Sequence, residues 1–428
     1  MVTELLSIKN EELVIVCDGT YTRIEKIQNN NFQYKSWSVQ KSTSLLKHFI
    51  ICCSDGYIID CYGSFSANMN DACIFEYILK TDLALKEKIL LPGKQISFSI
   101  EIYLKGFRDV VLQLREKYDF DVKIPTCQQF LNNDLDESNL KSKQLSTKQA
   151  NETRMVTKCR FIVEKKIGEI KKFRALENVR NTAIGHMQID YRIASAMINF
   201  SHISCSPDGN HGKKIARRMI RKSKITKNEL EFLIGKHLET KLIASISISS
   251  IVDFPILRPK QMMRKLFLGS YQLKQARAYA DDLLFNKTAY IVSSRLMKNM
   301  SNRVLTDEYE NSKILAFEII SRHRRSKNNL KDIGQTSYVK QFKNTYKVFI
   351  KYIPGLNHSK SIQAHICTCL SGRRIVGCCS HVATVIYYLS YLKYRTLGII
   401  SKGRHLNEIP IDMQNQQLPN KPKNIKGK

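Results

Sequence analysis

The chain has 428 residues, 43% of them hydrophobic, and carries 69 Lys and Arg against 38 Asp and Glu, a formal charge of +31. That length predicts two or three domains with real cores, and that charge favours a polyanionic partner, nucleic acid before an anionic membrane surface. No apolar run reaches the length of a membrane span, the first residues carry acids rather than a secretory signal, and twelve cysteines are too sparse for a disulfide scaffold.

In chain order, LVIVCD at 13–18 reads as a buried strand ending in an acid. It begins only about a dozen residues in, which points to a fragment or to a lost upstream domain. FQYKSWSV at 32–39 is expected to be a second strand, and LKHFIICCSDGYIIDCYG at 46–63 a hairpin turning at Ser-Asp-Gly. Helical periodicity follows from 70, with Asn70 as its N-cap and Asp71 favoured by the helix dipole. SFSIEIYL reads as a strand, RDVVLQLREKY as a helix and VKIP as a short strand. Residues 128–152 are polar and are expected to form an extended loop before a long helix over 156–176, with Ile167, Ile170 and Phe173 on one stripe and Glu164 near its edge. Another helix contains YRIASAMINFSH. The order predicts an α/β domain, an antiparallel meander leading into a mixed sheet with flanking helices, over 1–205.

Composition shifts near 205, where CSPDGNHG signals a loop. KKIARRMIRKSKITK at 213–227 then carries eight Lys or Arg and no acid, either a solvated helix face or a phosphate-contacting one. Residues 206–265 are read as a basic helical linker and 266–400 as an α+β region, with YQLKQARAYADDLLF helical and ILAFEIISRHRR and TYKVFIKYI as strands. The last residues, 401–428, read as a disordered basic tail.

Four cysteines and a histidine fall within 367–381, in CTCLSGRRIVGCCSH. Cys367 and Cys369 are one residue apart, so on a strand both sulfurs face one side. Cys379 and His381 repeat that spacing just before the helix VATVIYYLSYLKY. Three thiolates and one imidazole make a closed structural Zn2+ complement, and soft ligands favour zinc over Mg2+ or Ca2+. Cys378 can replace Cys379 or sit as a small hydrophobe, and the spacing to His381 favours Cys379. A redox C-x-x-C pair is absent from the window. The pattern C-x-C-x9-C-x-H resembles a SWIM-type zinc finger, placed at about 350–392. In that family the finger follows a β-hairpin, a place that SRH at 321–323 and VFIKYI at 348–353 would fill. The resemblance implies bound zinc and a DNA or protein partner.

Asp18 at a strand end and Glu164 on a late helix can share divalent ions. Two carboxylates holding two Mg2+ can activate water and stabilise a departing oxygen at a phosphodiester. Solvated side chains are the plain alternative. IVCDGTY, SWSVQKSTSLLKHFIICCSDGYI, NDACIFEYIL, KGFRD and TKCRFIVEKKIGEIKKFRAL together resemble the DDE superendonuclease domain of Harbinger-like transposases, over roughly 12–200. The resemblance implies an RNase H-like fold and an Asp-Asp-Glu triad using Mg2+ or Mn2+, with Asp18 as first acid and Glu164 as last. At the middle position the family has Asp-Arg-Gly before Phe-Arg-Asp, whereas this chain has Leu104, Lys105 and Gly106 before Phe107, Arg108 and Asp109. Leucine offers no oxygen to a metal. Glu101 and Asp109 are the acids near enough in sequence to substitute. Lys35, Lys41 and Lys47 are candidates for DNA backbone contacts or for a solvated sheet face.

The expected protein is therefore zinc-binding and transposase-derived, a DNA binder with cleavage lost. It is expected in the nucleus, with the cytoplasm as alternative, and not at a membrane. An active Mg2+-dependent nuclease and a zinc-dependent protein-interaction adaptor are the alternatives. Oligomeric state is not legible.

Overall fold

The computed structural model describes residues 5, 14–39, 41–85, 98–100, 116, 125, 144–201, 211–234, 244–285, 288–291, 312–320 and 345–394. Glu101, Leu104 and Asp109 lie outside these residues. So do the helix expected over RDVVLQLREKY apart from Glu116, the strand VKIP apart from Pro125, SRH at 321–323 and the tail from 401.

The first strand, β1 (Ile15–Ile24), is the centre of a mixed sheet. The segment expected as the second strand is instead a short helix, α1 (Asn30–Ser36), followed by only two strand residues, β2 (Trp37–Ser38). The cause is local: the Asn29 side chain accepts from the Phe32 amide at 3.0 Å and caps a helical turn. The expected hairpin forms as β3 (Thr43–Cys53) and β4 (Ile58–Ser66). β3 runs antiparallel to β1 with Asp18 opposite Ile50, and antiparallel to β4. Helix α2 (Asp71–Thr81) starts where expected, the Asn70 side chain accepting from Cys73 N at 2.7 Å. β5 (Phe98–Ile100) lies parallel to β1 on its other side.

The polar stretch 128–152 is not extended throughout, because the long helix α3 (Thr147–Ile170) begins inside it. Ser146 and Gln149 form a reciprocal capping box that starts the helix nine residues before the apolar periodicity becomes visible. It also ends six residues early, at Ile170. Phe173 still packs with Ile167 and Ile170 against the sheet, but from the turn that follows. β6 (Asn178–Val179) adds to β1 in parallel, and α4 (Met187–Phe200) covers the same sheet face as α3. Alternation sorts β1 between two cores. Ile15 and Cys17 meet α2, while Val16 meets α3 and α4.

Helix α5 (Gly212–Ser223) and strand β7 (Ala244–Ser247) fall within the segment read as a basic linker. Ile215, Ala216 and Met219 bury one face of α5 against Cys159 and Ile162 of α3, together with Leu268 and Val376. β7 opens a second sheet, joined after α6 (Ser270–Phe285) by β8 (Thr288–Ile291), β9 (Lys313–Ile320), β10 (Thr345–Tyr352) and β11 (Ile362–Cys367). All its pairings are antiparallel, and the final helix α7 (Ser380–Ser390) packs on it beside α6. Among the described residues no helix is long and apolar enough to cross a membrane.

Candidate metal centre and acidic pair

Cys367 ends β11, Cys369 follows in the turn, and Cys379 caps α7, its sulfur accepting from Val382 N at 3.4 Å. His381 lies in the first turn of that helix. All four side chains are buried, and their ligand atoms lie within 4.8 Å of one another. His381 Nδ1 is 3.8 Å from Cys367 Sγ. A tetrahedral ion with ordinary Zn–S and Zn–N lengths needs about 3.6 Å between those atoms, so that pair is spaced as zinc requires and the donor set fits zinc in its chemistry. Cys378 is buried outside this group, and burial pushes its thiol up to about 12. That buried setting, within the core that packs α7, suits a core side chain.

The loop between the ligand pairs is shaped by two glycines. A side chain on Gly372 would put its Cβ 1.9 Å from the Cys367 carbonyl oxygen. Gly377 has φ +70°, and a Cβ there would sit 2.5 Å from the Phe267 carbonyl oxygen.

The start of α3 holds the same loop. Gln144 Nε2 donates to the carbonyls of Cys367 at 2.6 Å and Cys369 at 2.8 Å. Leu145 N donates to Leu370 O at 3.0 Å. Asn151 Oδ1 accepts from the amides of Ile375 at 2.8 Å and Val376 at 3.0 Å. Arg373 donates to Gln144 Oε1 at 3.0 Å and to Glu231 Oε1 at 2.7 Å. Buried backbone groups must be satisfied, and here Gln144 and Leu145, just before α3, and Asn151 in its first turns satisfy them. The cysteine cluster is thus seated on the helix that carries Glu164.

Further along α3, Arg160 and Glu164 lie one turn apart. Arg160 Nη2 donates to Asp18 Oδ2 at 2.8 Å and lies 3.3 Å from Glu164 Oε1. The guanidinium therefore bridges the two acids that the sequence singled out. The Asp18 and Arg160 side chains are nearly buried, while Glu164 is half exposed. Burial pushes the Asp18 carboxyl up to about 6, against the opposing pull of Arg160 and with help from the charges of Asp71 and Glu164. Asp71 packs against Gly19, where a Cβ would lie 2.4 Å from its Oδ1, and pairs with Lys47 at 3.0 Å. It enriches the first turn of α2 in negative charge while Asn70 supplies the cap. Among the described residues these acids do not form a three-ligand metal group.

Of the three candidate lysines, Lys35 and Lys41 are exposed, whereas Lys47 is 4% exposed and committed to Asp71 and to Met69 O. On α5 and just beyond it, Lys213, Lys214, Arg217, Arg221, Lys224 and Lys227 are exposed. Sequence reasoning missed Arg160, Gln144 and Asn151. The first was visible as a basic residue one turn before Glu164. The other two are polar residues of a stretch read as loop, and their partners lie more than 220 positions away.

Residues 17–199 match the family model of the DDE superfamily endonuclease. The match spans β1 to α4, includes Asp18 and Glu164, and supports a transposase-derived DDE domain there. The mixed sheet with flanking helices is consistent with a DDE nuclease fold, and such a domain suggests divalent-metal use. The described acids do not fit a divalent pair as they stand, since Arg160 holds the space between them. No curated protein and no solved structure matches the chain.

Proposed function

We propose that the protein is a transposase-derived, zinc-containing DNA-binding protein that has lost endonuclease activity and acts in the nucleus. The observation that carries the loss is Arg160. A divalent ion entering between Asp18 and Glu164 must displace a guanidinium whose side chain is 10% exposed. Stranding a buried charge in that way costs about 3–5 kcal/mol. Leu104, at the position matching the family's middle acid, points the same way. DNA binding is supported by the charge of +31 and by the cation-rich outer face of α5, whose other face is packed.

Cys367, Cys369, Cys379 and His381 are proposed as the ligands of a structural Zn2+ in a SWIM-type module. The proposed division keeps a DDE-like unit over 1–205, a basic segment over 206–265 and an α+β unit over 266–400.

Cleavage is tested on supercoiled and linear DNA with Mg2+ and Mn2+, with Asp18→Ala as control. No metal-dependent cutting is expected, and cutting that the control abolishes refutes the loss. Duplex titration at two salt concentrations tests binding. Affinity should fall steeply with salt, and no binding at low salt refutes the DNA reading.

A further inference from the structure

The only tryptophan of the chain, Trp37, follows directly on α1 and is 41% exposed. Tyr34, three residues earlier and within α1, is 77% exposed, and Val39 is 80% exposed. Large side chains standing in solvent on a mobile loop would mean little. Here their backbone is tied down. Lys35 O accepts from Ala67 N at 3.0 Å and Ser66 Oγ at 2.7 Å, and Tyr34 O accepts from Asn68 Nδ2 at 3.3 Å. Gln33 Nε2 donates to Ser44 Oγ at 2.8 Å, and Trp37 pairs with Ser44 in the sheet.

In the same stretch of chain, Arg23, Lys26, Lys35 and Lys41 are exposed, and Arg23 pairs with Leu45, next to the Ser44 that faces Trp37. The acid in this stretch, Glu25, accepts from Asn181 N. Trp37 stands opposite Ser44 of β3 and Asp18 opposite Ile50, six residues further along the strand. That is roughly 20 Å at the usual rise. Lys171 is within electrostatic reach of both Asp18 and Lys41, so positive charge continues between the two places.

We propose that Tyr34 and Trp37 form a stacking platform for unpaired nucleobases of a DNA strand whose phosphates run along Arg23, Lys35, Lys41 and Lys171 toward the acidic pair. The proposal rests on the DNA-binding reading. An acidic peptide would satisfy the cations and leave the ring faces uncovered. Intact duplex would reach the cations but keeps its bases stacked. Unpaired bases use both, since any base offers a π-face to an aromatic ring while its phosphates meet lysine.

The lone tryptophan makes the test direct. The full chain is titrated with a single strand of mixed sequence, an abasic strand of equal length, a blunt duplex and a duplex with a single-stranded overhang. Tryptophan emission and the anisotropy of labelled DNA are both followed. Emission should be quenched by the single strand and the overhang and little changed by the abasic strand, which should bind about tenfold more weakly. Trp37→Ala should lose that tenfold preference, and Trp37→Phe should retain most of it. Lys35→Ala with Lys41→Ala should weaken both strands equally and lower the salt slope. Equal affinity for normal and abasic strands, or unquenched emission on saturation, overturns the platform while salt-dependent duplex binding leaves the DNA reading standing. No binding to any DNA overturns both.

Discussion

Asn151→Ala removes the acceptor of two amides in the loop between the cysteine pairs, and the perturbation is confined to one buried side chain, 1% exposed. Ile375 N and Val376 N lose their partner at 2.8 and 3.0 Å, and Ile225 O loses the donor Nδ2 at 3.2 Å. Each buried group left unpaired costs about 1–3 kcal/mol. Some relaxation and water entry will recover part of this, so a total near 3 kcal/mol is expected. If the loop holds that geometry only when metal is bound, the whole cost appears in zinc affinity, about a hundredfold at roughly 1.4 kcal/mol per decade. Competition with a chromophoric chelator measures that affinity, and urea unfolding of the zinc-loaded chain measures the stability loss. The surface change Glu152→Ala on the same helix is the control. If Asn151→Ala shifts neither zinc affinity nor unfolding beyond the control, α3 does not hold the cysteine loop and the two are not coupled.

Two further outcomes follow from charge. Asp18 titrates near 6 when folded against an ordinary 3.8, so between those values the folded chain binds more protons than the unfolded one. Stability contributed by this group therefore falls as pH rises through that window. The stability of Asp18→Asn relative to the parent, whatever its offset from the lost Arg160 pair, should rise by roughly 1–3 kcal/mol from pH 4 to pH 7, and a difference that does not change with pH refutes the raised value. Replacing the exposed Arg217 and Arg221 of α5 by Ala should reduce the slope of log affinity against log salt by roughly 1–2 without altering the circular dichroism spectrum. An unchanged slope places the DNA contact elsewhere.

The clustering of Cys367, Cys369, Cys379 and His381 was legible because a one-residue spacing on a strand and another at a helix start carry their geometry locally. The hairpin, the Asn70 cap, β9, β10 and α7 were legible for the same reason, since period and turn residues are neighbours in sequence, whereas β7 and β8 were not read as strands. The helix α1 was not. Its aromatic and polar residues alternate like a strand, and the Asn29 cap overrode that pattern. The start of α3 was hidden because Gln144 and Asn151 are held by the cysteine loop rather than by a face periodic in sequence. The acidic pair shows the other limit. Asp18 and Glu164 were picked out, but nothing in the spacing tells that Arg160 will lie between them, because that depends on how α3 crosses β1.

In the proposed reading, Arg160 takes the place between Asp18 and Glu164 that a divalent cation would occupy. Manganese binding followed by electron paramagnetic resonance tests it on the zinc-loaded full chain. No stoichiometric tight Mn2+ site that depends on Asp18 is expected, so parent and Asp18→Asn should give the same free-Mn2+ signal. A tight site of one or two Mn2+ per chain in the parent, lost in Asp18→Asn, would contradict it.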